Sequence, residues 1–200
     1  MADNLFKQLS EKVEKKLARE NRCPSHDYEH IKRVIKNAKY ICDRERGDWK
    51  TLKYAALLHD VEYSAKNDAV LHKHHVLSAR AAGKLLKGKL PPKKIKQIKH
   101  AIIAHSRKYK SGPKTLEAKI LYDADKLEAY GYLGAARYMI QSRDRGRTIK
   151  RSCERYLELA DEMRKNKKLY FTRTGRKLAR RKMKKGFAFI KKVLEEMKRV

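Results

Sequence analysis

Apolar residues recur every three or four positions along most of the chain, which is the spacing of amphipathic helices. The stretch from Ile31 to Cys42 and the stretch from Ile95 to His105 show it most clearly. Alternation of apolar and polar residues, typical of strands, is hard to find. The predicted helices cover residues 3–20, 27–46, 49–60, 68–87, a fifth segment after Pro92, 114–142, 148–165 and 174–199. We therefore predict an all-α fold.

Helix-breaking residues mark most of the predicted boundaries. Pro24, Pro91, Pro92 and Pro113 all lie where a helix would begin or a loop would run. Gly47 is predicted to end the second helix, since glycine accepts the left-handed conformation that closes many helices. The sixth helix is predicted to be one long element over residues 114–142, with Leu121, Ala124, Asp125 and Glu128 along one side.

The third predicted helix ends in a histidine and a carboxylate, His59 and Asp60. His59 shares a face with Leu52, Ala55 and Ala56 at helical spacing, so it is predicted to point inward. Neutral imidazole with a carboxylate suits divalent cations of the Mn, Fe, Co, Ni and Zn group. The alternative is that His59 caps the helix and Asp60 faces water. Other helices also carry His or Asp on or beside an inward face, namely His30, His105 and Asp125.

Three motifs in this order resemble the HD superfamily of metal-dependent phosphohydrolases. His30-Ile31-Lys32-Arg33-Val34 is similar to H-x-x-R-V, and Ala55-Ala56-Leu57-Leu58-His59-Asp60-Val61 to A-x-L-L-H-D-[IV]. Asp123-Ala124-Asp125-Lys126-Leu127 is similar to D-A-D-[KR]-L. The resemblance covers about residues 24–140. It implies one HD-domain helical bundle over residues 1–200, with basic helices 148–199 packed on the core.

The resemblance also implies metal ligands at His30, His59, Asp60 and Asp125. His26 is the rival for the first ligand, although the H-x-x-R-V frame selects His30. Asp123 is the rival for the last, although the residue followed by Lys-Leu is the better match. The cofactor expected is one or two divalent ions, Mn, Mg, Fe, Co, Ni or Zn.

Two-metal relatives add two histidines between the central pair and the closing aspartate. The candidates are His74 and His105, with His75 as the close alternative to His74. If they hold no ion, we expect them to contact the scissile phosphate or its leaving group. Two carboxylates are near enough in the sequence to act as general base, namely Asp60 and Glu62.

Three basic residues near these motifs are predicted to hold phosphate groups: Arg33, Lys126 and Arg137. For Arg33 a structural ion pair is an equally good interpretation. The activity implied is metal-dependent hydrolysis of a phosphate ester or anhydride, in a nucleotide or a related phosphorylated substrate. The alternative function is nucleic-acid binding on the same scaffold, with RNA or an oligonucleotide as substrate.

The formal net charge of +30 implies attraction to polyanions. Residues 142–200 hold 22 Lys or Arg against 7 Asp or Glu, a net +15, so this region is the densest in positive charge. Its helices are expected either to bind RNA or DNA non-specifically or to be a solvated face without a partner. Their basic positions include Arg176, Lys177, Arg180, Arg181, Lys184 and Lys185.

Three widely spaced cysteines, Cys23, Cys42 and Cys153, form neither a disulfide framework nor a zinc motif. No run of 18 apolar residues exists, and the N-terminal residues lack the order of a signal peptide. We therefore predict a cytoplasmic protein without a membrane span.

Overall fold

A computed structural model describes residues 2–20, 26–64, 68–143, 145–165 and 169–198. These ranges contain helices and no strand, which confirms the all-α prediction. The helices are α1 (Ala2–Arg19), α2 (Tyr28–Glu45), α3 (Trp49–Leu58), α4 (Asp68–Leu86), α5 (Pro92–Ala104), α6 (Leu116–Lys126), α7 (Gly131–Arg143), α8 (Ile149–Lys165) and α9 (Arg173–Glu196).

Helix α3 lies at the centre of the core. It packs against α1, α2, α4, α5 and α6, and most of its side chains are buried. Asp48 caps its start, because the Asp48 carboxylate accepts a hydrogen bond from the Thr51 N–H. Because the helix is short and enclosed, its C-terminal end delivers His59 and Asp60 to the interior, where both are buried.

The prediction of one helix over residues 114–142 is wrong. Helix α6 ends at Lys126, a 3₁₀ turn follows over Leu127–Ala129, and Tyr130 is extended before α7 begins. Gly131 takes a φ of +80°, a conformation that L side chains rarely adopt and that redirects the chain. Helical spacing continues through Glu128, so the periodicity alone did not reveal the break.

The end of α2 also differs from the prediction. Arg46, not Gly47, takes the left-handed conformation, with φ of 60°, and its N–H donates to the Cys42 carbonyl. Gly47 is needed for a different reason: a Cβ there would lie 2.8 Å from Ile120 Cδ1 of α6. The close approach of α2 and α6 brings the helices that carry His30 and Asp125 together.

The C-terminal helices pack on this core through α9, which contacts α2, α6, α7 and α8. Ala135, Cys153, Tyr156 and Ile190 form a second, smaller buried cluster between α7, α8 and α9. A single domain over residues 1–200 stays a prediction.

No helix in the described ranges is both long and apolar enough to cross a bilayer. Cys42 and Cys153 are buried free thiols. Cys23 and the rest of the turn expected at residues 21–25 lie outside the described residues, as do residues 65–67 of the loop expected before α4.

Candidate metal centre

The four predicted metal ligands, His30, His59, Asp60 and Asp125, meet at one point, here called the His/Asp cluster. Asp125 Oδ1 lies 3.5 Å from His30 Nε2 and 3.9 Å from His59 Nε2. Asp60 Oδ2 lies 3.9 Å and 3.6 Å from the same two nitrogens. Two ligands at zinc-like distances of about 2.1 Å from one ion would lie about 3.4 Å apart, so the spacing fits a shared cation.

Helix ends position these side chains. His30 lies in the first turn of α2, where its N–H donates to the capping carboxylate of Asp27 at 2.8 Å. His59 and Asp60 follow the last residue of α3, and Asp125 lies in the last turn of α6. The backbone therefore holds three segments against one another before any ion binds.

The imidazoles of His30 and His59 direct their Nε2 atoms at the two carboxylates. His59 Nδ1 donates to the Ala56 carbonyl at 2.9 Å, so its Nε2 carries the lone pair. The Nε2 atoms of His30 and His59 are buried and have no hydrogen-bond partner among the residues that the structure describes. Buried polar atoms without partners are rare in folded proteins, and two that face two carboxylates have the chemistry of a divalent cation site.

Asp60 also belongs to a second group. Its other oxygen, Oδ1, lies 3.7 Å from His74 Nε2 and 3.5 Å from His105 Nε2. His105 Nδ1 contacts the Ile102 carbonyl at 2.5 Å, so its Nε2 too carries the lone pair. Within the described ranges, His30, His59 and Asp60 have ligand atoms close enough for one ion. Asp60, His74 and His105 form another such set, and the two sets share Asp60.

The neighbouring histidines and Asp123 do not replace the predicted ligands. His75 is buried beside His74, but the ligand atoms that could share an ion are those of His74. His26 stacks on Tyr63 with ring centroids 3.8 Å apart, and burial lowers its pKa to about 3.

Asp123 points away from the cluster, towards the start of α9. Its carboxylate accepts hydrogen bonds from the Phe171 N–H, the Thr172 N–H and the Thr172 hydroxyl, at 2.9, 2.7 and 2.6 Å. Burial raises the pKa of Asp123 to about 6 against these donors. Asp123 thus anchors the C-terminal helix, which gives the first aspartate of the D-A-D motif a structural role.

Glu128, which was not predicted as a site residue, lies behind His30. Its Oε2 is 3.9 Å from His30 Nδ1 and accepts from Arg33 Nε at 2.6 Å. Its Oε1 accepts from Asn37 Nδ2 at 3.1 Å, and Lys182 Nζ is 3.8 Å away. Although burial opposes it, contact with His30 and Arg33 lowers the pKa of Glu128 to about 2. Glu128 lies three residues after Asp125, and this helical spacing, which places it on the same face as the predicted ligand, was the sequence feature that could have identified it.

Two of the predicted phosphate-binding residues also contact Glu128. Arg33 forms the ion pair just described, which bears out its structural interpretation. Buried Arg137 donates from Nη1 to the Glu128 carbonyl at 2.9 Å. Lys126 pairs instead with Asp125, its Nζ lying 2.6 Å from Oδ2. The substrate-binding role of all three stays a prediction.

Glu62 lies apart from the described clusters. Its carboxylate is 3.4 Å from Lys16 Nζ, in a groove between α1 and α4, and its N–H donates to Ser78 Oγ. Its role as a general base therefore stays a prediction, whereas Asp60 lies within both groups of candidate ligands.

A cavity of about 180 Å³ opens beside the His/Asp cluster. Its lining includes His26, Asp125, Lys126, Glu128 and Arg137. Whole small-molecule ligands usually occupy roughly 300–1,000 Å³, so this space suits only part of a ligand, such as a phosphate group.

The charge states of the cluster favour a cation. Burial raises the pKa of both carboxylates. For Asp60 this effect is smaller than the lowering by His59 and His105, and for Asp125 it is smaller than the lowering by Lys126 and His59. Both pKa values therefore lie below the usual range. Burial lowers the pKa of His30, which keeps it neutral. Ionised carboxylates and neutral imidazoles are the forms that bind metal.

The sequence and the fold are similar to those of known proteins. A family model described as the HD domain matches residues 27–130. The uncharacterized protein YpgQ of Bacillus subtilis is 29% identical over 116 residues, so the matched part spans 56% of this chain and 55% of that protein.

Three crystal structures are similar along nearly the whole chain. Lin1889 from Listeria innocua is 25% identical with a TM-score of 0.74, covering 100% of this chain and 99% of that one. A predicted HD-superfamily hydrolase from an uncultured Thermotogales bacterium is 25% identical with a TM-score of 0.68, covering 96% and 92%. YpgQ in complex with ADP is 24% identical with a TM-score of 0.72, covering 98% and 97%. With the family model matching more than half of its length, this chain belongs to the HD domain family and has the fold of HD-superfamily hydrolases.

Proposed function

We propose that this protein is a divalent-metal-dependent phosphohydrolase that cleaves a phosphate ester or anhydride of a nucleotide. The observation that carries the proposal is that the two carboxylate oxygens of Asp60 face two different pairs of histidines. One of these oxygens faces His30 and His59, while the other faces His74 and His105.

In this proposal His30, His59, Asp60 and Asp125 hold one ion, and Asp60, His74 and His105 hold a second. Divalent ions, when bound, supply Lewis acidity: they lower the pKa of water and screen the negative charge of phosphate. The protein fixes the ligands beforehand, because the carbonyls of Ala56 and Ile102 orient the imidazoles of His59 and His105.

The cavity supports a phosphorylated substrate. Lys126 and Arg137 line it together with Asp125, so a phosphate there would meet cationic donors beside the candidate ligands. The nucleotide part of the proposal draws on the related YpgQ structure, which is a complex with ADP. The small volume leaves the nucleoside outside the cavity, which favours recognition of the phosphate group over recognition of the base.

The first prediction concerns metal and activity together. We expect wild-type protein loaded with Mn²⁺ to hold about two ions per chain and to release phosphate or pyrophosphate in a screen of nucleoside mono-, di- and triphosphates. His59→Ala should abolish hydrolysis, because the lost imidazole cannot be replaced by the remaining ligands. Metal content by mass spectrometry and phosphate release are the measurements.

The matched control is His72→Ala, an exposed histidine outside the two candidate ligand groups. It should retain both ions and full activity. His74→Ala should retain one ion per chain. Retention of two ions would contradict a second metal site at Asp60, His74 and His105. Hydrolysis by His59→Ala at the wild-type rate would contradict the proposed function. One ion per wild-type chain would instead assign His74 and His105 to the phosphate or its leaving group.

A further inference from the structure

The positive charge of this protein is concentrated in two regions, and only one of them is at the C-terminus. Between Asp68 and Glu117 the sequence has thirteen Lys or Arg and no Asp or Glu. The first 141 residues carry a net +15, so those outside this stretch contribute only +2. The positive charge outside the tail is therefore unevenly distributed. Almost all of it lies in α4, α5 and the segments that follow them.

The fold converts this stretch into a groove. Helices α4 and α5 pack side by side, and a cleft of about 1020 Å³ runs along them. No Asp or Glu of the described residues lines it. Half-buried Leu90, Ile95 and Ile103 line it together with exposed basic side chains from both helices and their connection: Arg80, Lys84, Lys87, Lys89, Lys96 and Lys99.

These six cations are available to a ligand. None of them forms an ion pair with an acidic residue in the described part of the chain. Several basic residues of the C-terminal helices, by contrast, are already engaged. Arg151 and Arg155 pair with Glu158, Arg176 donates to the Tyr170 carbonyl, and Lys182 lies 3.8 Å from Glu128 Oε1.

We propose that the α4–α5 groove binds single-stranded nucleic acid through its phosphodiester backbone. The two rows of exposed cations meet successive phosphates, while the apolar side chains between them receive sugar and base surface. This site is separate from the proposed hydrolase chemistry, since none of the residues lining the groove belongs to the His/Asp cluster or to the His74/His105 group.

The shape of the groove favours a flexible strand over a bilayer. Its apolar residues are half-buried and recessed between lysines, so they cannot project into a membrane as an amphipathic anchor does. A concave cleft between two helices also suits a narrow strand better than a duplex, whose phosphates lie on a wide convex surface.

The test is fluorescence anisotropy of a labelled oligo-uridine of about 12 nucleotides. Full-length protein is used in excess EDTA, so that hydrolysis and metal binding do not enter. Six phosphate contacts on a single strand give a log–log salt slope of about −4. The variant Lys84→Gln/Lys87→Gln/Lys96→Gln should bind at least about tenfold more weakly, with a slope near −2, because three contacts are lost.

The matched control removes the same charge from α9, as Lys177→Gln/Lys184→Gln/Lys185→Gln. It should keep its affinity within about threefold of wild type, since these residues lie outside the groove. An equal loss in both variants would overturn the groove as the site and assign binding to diffuse charge or to the tail. Wild-type affinity without salt dependence would overturn it as well.

Two further measurements keep the test independent of the variants. Photocrosslinking of 4-thiouridine RNA to the wild-type protein should give peptides from residues 80–103, and crosslinks only elsewhere would contradict the proposal. Binding of phosphatidylserine vesicles or inorganic polyphosphate that the groove variant abolishes, without binding of oligo-uridine, would identify a different ligand and overturn it.

Discussion

At the scale of single residues, the site depends on side chains that serve two partners each. Asp60 faces both groups of histidines, one with each oxygen. Glu128 accepts from Arg33 and Asn37 and lies 3.9 Å from His30 Nδ1. A carboxylate behind a ligating histidine fixes the ring and strengthens its basicity. We therefore interpret Glu128 as a positioning residue for His30.

The prediction at this scale is that Glu128→Gln lowers Mn²⁺ affinity by about 10- to 100-fold, because His30 loses the carboxylate that orients it. The free energy of unfolding should also fall, by about 3 kcal/mol, since Arg137 would keep only a neutral partner in the interior. Calorimetric titration and urea unfolding measure the two effects. Glu29→Gln, which removes an exposed carboxylate paired with Lys32 on α2, is the control. Unchanged Mn²⁺ affinity in Glu128→Gln would contradict the positioning role.

At the scale of elements, side-chain caps fix where the site-bearing helices begin. Asp27 caps α2, Asp48 caps α3 and Thr115 caps α6, each accepting from a backbone N–H three residues on. Asp48 also pairs with Lys94 of α5, at 2.5 Å. The start of α3 is thus joined to a neighbouring helix, and the end of α3 carries His59 and Asp60.

The prediction here is that Asp48→Ala lowers the free energy of unfolding by about 1 kcal/mol at neutral pH, the usual cost of an N-cap. Urea denaturation measures it. Burial raises the pKa of Asp48, but Lys94 and Thr51 outweigh burial and hold the pKa below its ordinary value. A lowered folded-state pKa means that the ionised cap stabilises the fold above the unfolded-state pKa, and that this stability is lost as pH falls below about 4.

The difference between wild type and Asp48→Ala should therefore shrink in acid. Asp48→Asn is the matched control, because asparagine caps helices as well as aspartate does but cannot titrate. The free energy of unfolding of Asp48→Asn should lie between those of wild type and Asp48→Ala at neutral pH. Acid should not lower it through residue 48, because asparagine does not titrate. A wild-type advantage that grows as pH falls would contradict the assignment.

At the scale of the whole molecule, α3 lies at the centre and α9 closes one side, anchored by Asp123 at its start. Helices α1 to α6 and α9 share one main buried cluster that extends from Leu9 of α1 to Ala179 of α9. Helix α9 also packs with α7 and α8 in the smaller cluster. This continuity predicts that residues 1–200 unfold in one cooperative transition.

Metal linkage gives the corresponding prediction. Mn²⁺ at about 100 times its dissociation constant should stabilise the folded state by about 2.7 kcal/mol, which corresponds to roughly 5–10 °C for a chain of this size. Scanning calorimetry with Mn²⁺ and with EDTA measures the shift. Two separate transitions would contradict the single domain, and the same melting temperature in both conditions would contradict a cation bound by the native state.

Much of this protein was predictable because helical periodicity records which face of each helix points inward. The inward face identified the all-α fold and put His59 beside Leu52 and Ala55 rather than in water. The order of the three motifs then selected His30, His59, Asp60 and Asp125, and the structure places a carboxylate oxygen of each aspartate within 4 Å of both imidazole Nε2 atoms.

Only the tertiary structure decided which partners meet across long stretches of chain. Arg33 and Glu128 are 95 residues apart, and no local pattern predicts that pair. Adjacent helical positions differ by about 100°, so the choice between His74 and His75 depended on where α4 lies against Asp60. The break at Gly131 depended on close packing, and the groove depended on α4 lying beside α5. The sequence determined the faces and the charges, whereas packing determined the distances.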